Sequence, residues 1–368
     1  MKRMVYHSAT GSGERDFSAT VIRWQKQHGR HQLPWQRTRD AYRIWLSEIM
    51  LQQTQVATVI PYYARFLERF PDVAALAAAP VEDVMALWSG LGYYTRARNL
   101  HRCAQQVVEA HGGRFPAEVE LLASLPGIGR STAAAISAFA YGTRAAILDG
   151  NVKRVFCRVF GIEGFPGSAP VEKLLWERAI ALLPDNDIES YTQGLMDLGA
   201  TVCTRSRPNC ASCPLRTRCI ARGSDRTAEL PARKPKKAVP EKSTVMLVVE
   251  HRGALLLEQR PPSGIWGGLL SLPELQRLLP SVPEKPGKRA LSAALSAALG
   301  EFGEVESFET LPAFTHSFTH YKLHVTPLQV TLSRSFAVAG QSSYRWVPVK
   351  KLSSAGLPAP VKKLLGAR

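Results

Sequence analysis

The stretch Leu125–Ile136, LPGIGRSTAAAI, decides how the chain is read. Two glycines, Gly127 and Gly129, bracket one apolar residue, and a run of small residues suited to a helix follows. A lone G-x-G is a weak signal. A Walker loop would need G-x-x-x-x-G-K-[ST], whereas Arg130 and Ser131 follow the second glycine here. A dinucleotide fold would need a preceding strand and a third glycine, and the flanks read as helical instead. What remains is a helix, a tight hairpin over 125–131 and a second helix. The glycines permit positive φ and close backbone approach. The free N–H groups at the start of the second helix suit an anion, such as a DNA phosphate contacted without regard to sequence. An ordinary Pro-Gly connection between two helices fits the loop equally well.

Outward from this loop, residues 16–220 read as mostly helical. In AYRIWLSEIMLQQTQVATVIPYYARFLERF the apolar residues recur at 3–4 spacing, punctuated by Pro61. VEDVMALWSGL, TRARNLHRCAQQVVEAH, VKRVFCRVFGI and PVEKLLWERAIALL predict further helices separated by Gly and Pro. The texture changes at Ala221. Residues 221–243 are polar, basic and Pro-containing, and read as a linker. Residues 244–349 then mix strand-like runs with a turn at Arg252-Gly253, a helical KRALSAALSAALG, and alternating SFTHYKLHVTPLQVTL and SYRWVPV, an α+β pattern. Residues 350–368 form a C-terminal tail. The expected architecture is multidomain.

The 368 residues are long for one core and natural for two domains. Lys and Arg number 47 against 30 Asp and Glu, a net charge of +17, which attracts polyanions, nucleic acid first and anionic membrane second. No apolar run approaches the roughly 20 residues that span a bilayer. The N-terminal MKRMVYHSATGSGERDF lacks the apolar core of a signal peptide. The expectation is a cytoplasmic protein, associated with the nucleoid when on DNA, monomeric and without a membrane partner.

Six cysteines in a reducing compartment do not suggest a disulfide framework. Cys203, Cys210, Cys213 and Cys219 form C-x6-C-x2-C-x5-C, close enough in sequence to surround one metal centre. A four-iron four-sulfur cluster and a four-thiolate zinc site are the candidates. Zinc ribbons pair two C-x2-C knuckles and only one is present, so the spacing favours the [4Fe-4S] cluster. Cys103 and Cys157 lie in apolar helical contexts and read as core thiols.

Two carboxylates stand out. Glu48 sits in IWLSEIMLQQ among apolar neighbours. Burial there would raise its pKa and suit it to act as an acid at neutral pH; alternatively it points outward beside Gln52. Asp149 follows an apolar run in AAILDGNVKRVF and precedes a helix, the position of an N-cap. A capping carboxylate can still present its other oxygen. An acid paired with an ionised carboxylate is the arrangement that cleaves a glycosidic bond through an oxocarbenium-like state.

Taken together, SEIMLQQTQV, GLGYYTRARNL, LPGIGRSTA, ILDGNVKRV and the four-cysteine loop resemble the helix-hairpin-helix DNA glycosylases that carry an iron–sulfur cluster. Within that superfamily the chain is similar to the adenine DNA glycosylases of the MutY type, densely over 16–220 and more loosely beyond. The resemblance implies an all-α glycosylase domain with its cluster loop at 203–219, acting on double-stranded DNA with adenine opposite 8-oxoguanine or guanine. It implies Glu48 as the acid that protonates adenine N7, Asp149 as the carboxylate that stabilises or transiently bonds the sugar cation, and Asn151 as an organiser of water and of that carboxylate. Gln53 and Tyr93 match residues that wedge into the duplex, which a base-extruding enzyme needs. Thr54 and Leu91 match the 8-oxoguanine side, Trp35 the adenine pocket, and Gln193 a position some members use near the lesion. For Tyr93 and Trp35, core packing is the competing reading. Ser131 stands where relatives resembling endonuclease III carry the lysine that forms a Schiff base. A serine cannot, so the expected enzyme is monofunctional and leaves an abasic site.

The C-terminal stretch resembles the Nudix-like domain of the same enzymes. A catalytic Nudix motif, G-x5-E-x7-R-E-x2-E-E-x-G, is absent from GGLLSLPELQRLLPSVPEKPGKRALSAALSAALG. The family reads 8-oxoguanine with an F-S-H loop. Here FTHSFTHYKL offers two F-T-H triplets, and the second, Phe318, Thr319 and His320, fits the register better, with Thr319 in place of serine. A glycosylase-lyase and a non-enzymatic DNA-binding module are the alternatives. Ser131 argues against the first, Glu48 and Asp149 against the second.

Overall fold

The computed structural model describes residues 11–234, 239–282, 287–318, 320–338 and 343–366. They fall into two compact units, one drawn from Met1–Ala78 and Asn99–Lys236, the other from Ala79–Arg98 and Lys237–Arg368.

The first unit is helical. In chain order come α1 (Gly11–His28), α2 (Ala41–Leu51), α3 (Val56–Arg69) and α4 (Val73–Ala78). Then α5 (Val81–Trp88) and the first turn of α6 (Thr95–His111) belong to the second unit. The helices resume with α7 (Val119–Ser124), α8 (Arg130–Tyr141), α9 (Gly150–Val159), α10 (Ala169–Ala181), α11 (Ile188–Asp197) and the short α12 (Ile220–Gly223). Their apolar stripes meet in a core of Phe17, Val21, Val155, Phe156, Tyr191 and Leu195. Each such side chain, fully buried, contributes about 1.5–3 kcal/mol. Pro61 does not break the chain as its position suggests, for it lies inside α3. The break falls at 52–55, where Gln53 turns left-handed with φ 59°. Part of the stretch that reads as linker is also folded: Ala221 and Leu230 are buried, and Arg158 Nε donates to the Leu230 carbonyl at 2.8 Å. Polar composition hides two apolar anchors there.

The second unit holds a mixed seven-stranded sheet: β1 (Glu241–His251), β2 (Ala254–Gln259), β3 (Leu270–Ser271), β4 (Gly303–Thr310), β5 (Phe314–Ser317), β6 (Lys322–Ser335) and β7 (Tyr344–Pro348). The order is β3-β2-β1-β6-β4, with β5 on β6 and β7 on β2; β1 and β6 run parallel. The central β1 is buried on both faces, hence its nearly unbroken apolar run. The predicted turn closes the β1–β2 hairpin with φ 46° at Arg252 and 72° at Gly253, the two-residue geometry that matches strand twist. Helices α13 (Leu275–Leu278) and α14 (Lys288–Leu299) cover the core through Leu275, Leu295 and Leu299, and α15 (Ala359–Gly366) ends the described chain. Among the described residues no helix is long and apolar enough to cross a membrane.

Candidate active site

Helix α2 starts on the Asp40 side chain, which accepts from Tyr42 N at 2.9 Å. Further along, it presents Glu48 to a cavity of about 570 Å³, whose walls include Trp35, Arg30, Phe139 and Gln193. The outward alternative for Glu48 therefore fails: Gln52 turns instead toward Thr132 on α8, at 3.4 Å. Among the described residues the Glu48 carboxyl takes no hydrogen bond or ion pair. Burial, with the Asp149 charge adding to it, pushes its pKa up to about 8.

Asp149 is the N-cap of α9, with Oδ1 accepting from Val152 N at 2.8 Å. Its second oxygen is also engaged, since Asn151 Nδ2 donates to Oδ2 at 3.0 Å. Burial raises this carboxyl, while the N–H donors of Val152 and Asn151 pull against the rise. Asn151 is held in turn by Arg154, whose Nη2 donates to Asn151 Oδ1 at 2.9 Å and to the Gly199 carbonyl at 2.7 Å. Position 199 must be glycine, because a Cβ there would stand 2.4 Å from Asn151 Cβ. Sequence reading misses Arg154 and Gly199. A DGNVKR motif signals its carboxylate, whereas a guanidinium's partners come from a loop far along the chain.

The hairpin joins α7 to α8. Gly127 has φ 81°, and a Cβ there would lie 2.8 Å from Asn99 Cβ, so this glycine is required twice over. The expectation of positive φ does not extend to Gly129, which caps α8 at φ −87° with open space around it. Ser131 makes a bond of its own. Its Oγ accepts from Leu148 N at 2.9 Å, fastening the segment that delivers Asp149. Gln53 is exposed and Thr54 half-buried in the α2–α3 loop. Trp35 does two things at once. It packs edge-on against Tyr63, with ring centroids 5.4 Å apart, and it lines the Glu48 cavity. Gln193 lines the same cavity and donates to Asp197 Oδ1 at 2.8 Å. Asp197, 0 % exposed, is paired with Arg30 at 2.7 Å.

After α11 the chain widens into a π-type turn, Leu198–Val202, closed by Cys203 N donating to Leu198 O at 2.6 Å. Cys203, Cys210, Cys213 and Cys219 stand around one cavity, with Val155, Leu198 and Leu215 also in its walls. Among the described residues no trio of His, Cys, Asp or Glu converges as a single ion would require. Arg158, 2 % exposed, donates through Nη1 to Cys203 Sγ at 3.4 Å and to the Thr204 carbonyl at 2.7 Å.

In the second unit, Leu91 is buried, while Tyr93 is 47 % exposed with φ 49°. Of the two F-T-H triplets, the first is spent in β5, paired with β6. Of the second, Phe318 N donates to Tyr321 O at 2.9 Å. Phe318 stacks on Tyr321 (4.6 Å) and lies 5.7 Å from the Trp266 ring, leaving His320 exposed; Thr319 lies outside the described residues. Glu274 is held by two donors: Arg260 Nη1 at 2.6 Å and Thr244 Oγ1 at 2.9 Å.

With this geometry in view, two family models match the chain: HhH-GPD superfamily base excision DNA repair protein over residues 46–179, and NUDIX domain over 244–367. The chain is 35% identical over 350 residues to an adenine DNA glycosylase of Buchnera aphidicola subsp. Acyrthosiphon pisum (strain APS), covering 95% of this chain and 96% of that one. It is 34% identical to the adenine DNA glycosylase of Homo sapiens, over 95% of this chain and 73% of that one. Among solved structures, a thermostable thymine-DNA glycosylase aligns with TM-score 0.53 at 30% identity, covering 58% of this chain and 98% of that one. A non-covalent endonuclease III–DNA complex shares the fold, with TM-score 0.51 at 22% identity over 59% of this chain and 98% of that one. A helical unit with a buried acid and a capping carboxylate, followed by a Nudix-like unit, is thus matched along nearly its whole length: the chain belongs to the adenine DNA glycosylase family, enzymes that cleave N-glycosyl bonds.

Proposed function

We propose that this enzyme removes adenine paired with 8-oxoguanine or guanine in double-stranded DNA, leaving an abasic site without cutting the strand. The observation that carries the chemistry is the desolvated Glu48, poised to hold a proton at neutral pH, with the Asp149 charge acting on it. The flipped adenine enters the Glu48 cavity beside Trp35 and Gln193. Glu48 gives its proton to N7, so the base departs neutral as the C1′–N9 bond breaks. The positive charge left on the sugar is met by Asp149, as stabiliser or as transient covalent partner. Asn151 holds the carboxylate and the water, which adds to C1′ and returns a proton. Ser131 supplies no amine, so no Schiff base forms.

Gln53 and Tyr93 wedge the duplex open, with Thr54 and Leu91 on the 8-oxoguanine side. Phe318, Thr319 and His320 read the oxidised base. The hairpin at Gly127 and Gly129 grips a backbone phosphate. Cys203, Cys210, Cys213 and Cys219 would hold a [4Fe-4S] cluster, which supplies a structural tie for the loop after α11. Thiols spread around a cavity suit a multi-iron core better than one zinc.

A single-turnover assay on duplexes with A opposite 8-oxoguanine, A opposite G and T opposite 8-oxoguanine tests the reading. Strand breaks should appear only for the adenine duplexes and only after alkali or heat. Scission before that treatment, or equal action on thymine, would overturn it.

A further inference from the structure

The loop 89–94, SGLGYY, carries both Leu91 and Tyr93, and it is built as a stiff object. Gly90 and Gly92 take φ 109° and 71°, and Tyr93 itself 49°. Trp88 Nε1 donates to the Gly92 carbonyl at 3.1 Å. The buried Arg96 donates through Nη2 to the carbonyls of Leu91 (3.4 Å) and Gly92 (3.3 Å). Its guanidinium carbon lies 5.1 Å from the Trp88 ring centre and 5.5 Å from that of Tyr93. A non-glycine residue in the left-handed region holds its place only when its surroundings enforce it, and here they do.

Two further bonds fasten this loop and the start of α6 to C-terminal residues of the same unit. Ser89 Oγ donates to the Leu357 carbonyl and Arg98 Nη1 to the Gly267 carbonyl, each at 2.5 Å. Gly267 follows Trp266, which stands against Phe318 (5.7 Å) and His316 (6.1 Å). The contacts thus run from the exposed Tyr93 ring through the start of α6 to Phe318.

We propose that Arg98 and Ser89 are positioning residues that hold the Tyr93 wedge in register with Phe318, so that docking of the oxidised base sets the wedge. This rests on the wedge and lesion-reading roles proposed above. The test uses the full chain with Arg98→Ala, Arg98→Lys and Ser89→Ala, alone and with Tyr93→Ala. Single-turnover excision is followed opposite 8-oxoguanine and opposite guanine, with thermal melting alongside. Arg98→Ala should cut the preference for 8-oxoguanine about fivefold, the effect of one lost hydrogen bond. Arg98→Lys, which can still donate to Gly267, should restore most of it. In the Tyr93→Ala background Arg98→Ala should take nothing more from the preference, because the two act as one unit. A scaffolding role alone would lower both rates together with the melting point and leave the preference intact; that result overturns the proposal, as does additivity with Tyr93→Ala. Should Arg98→Ala fail to fold, Ser89→Ala decides by the same criteria. If Tyr93→Ala by itself keeps full preference, the wedge reading has failed and the brace falls with it.

Discussion

The two units treat buried acids in opposite ways. In the second, Glu258 and Glu274 are both neutralised: Arg260 lies 3.3 Å from one and 2.6 Å from the other, and Arg277 adds a bond to Glu258 at 2.8 Å. In the first, Asp197 is likewise paired, yet Glu48 in the cavity wall is left without a cation among the described residues. A paired, hydrogen-bonded acid acts as a cross-link whose loss leaves a buried partner uncompensated. A desolvated, unpaired one keeps its proton and can give it away. The contrast separates a region that has turned its carboxylates into cross-links from one that leaves a carboxylate desolvated and without an ion pair.

The contrast breaks most sharply at the proposed acid and carboxylate, Glu48 and Asp149. Glu48→Gln and Asp149→Asn should each slow single-turnover excision by about 10²–10⁴. Asparagine is itself a good N-cap, so Asp149→Asn should melt within a few degrees of wild type. A large stability loss would mean Asp149 serves the fold and not the reaction. In the second unit the outcome should reverse. Arg260→Ala takes the ion pair from Glu274 and leaves the buried Glu258 with Arg277 alone, and should cost about 3–5 kcal/mol of that unit's stability by denaturant unfolding, while excision opposite guanine persists. Loss of all activity with unchanged unfolding would refute the division.

Smaller effects sharpen it. With Glu48 as the proposed proton donor, the rate should fall as pH rises through about 8, and Glu48→Gln should lack that limb. His320→Ala should reduce the preference for 8-oxoguanine about three- to tenfold without altering the pH profile. The smallest change is a gain. Glu48 has a folded pKa above its unfolded 4.5, so its contribution to stability is present below that value and is lost as pH rises toward 8. Glutamine carries no such loss, and Glu48→Gln should melt about 2–4 °C higher at pH 8 for each kcal/mol relieved, with no gain at pH 4.

Much of the helical unit is legible in the sequence because its signals are local. Apolar spacing marks α6, α8, α9 and α10, and the motifs mark Glu48, Asp149 and the cysteines within short windows. Gln53 shows where that stops: the α2–α3 break comes from a left-handed turn at a glutamine, while the obvious breaker, Pro61, sits inside α3. The 221–243 stretch likewise conceals Ala221 and Leu230 among polar neighbours. Ser131 speaks in the sequence through what it lacks, and its bond to Leu148 N becomes visible only when two distant segments meet.

By itself the sequence determined the family resemblance, the two-part organisation and the identity of the chemical groups, because motif spacing and periodicity are properties of neighbouring residues. Tertiary structure alone decided which acid would keep its proton, which glycine was required by a facing Asn99 or Asn151, and that residues 79–98 join the C-terminal unit. Desolvation, steric exclusion and long-range hydrogen bonds depend on what the folded chain brings alongside a residue, and a string of letters contains no distances.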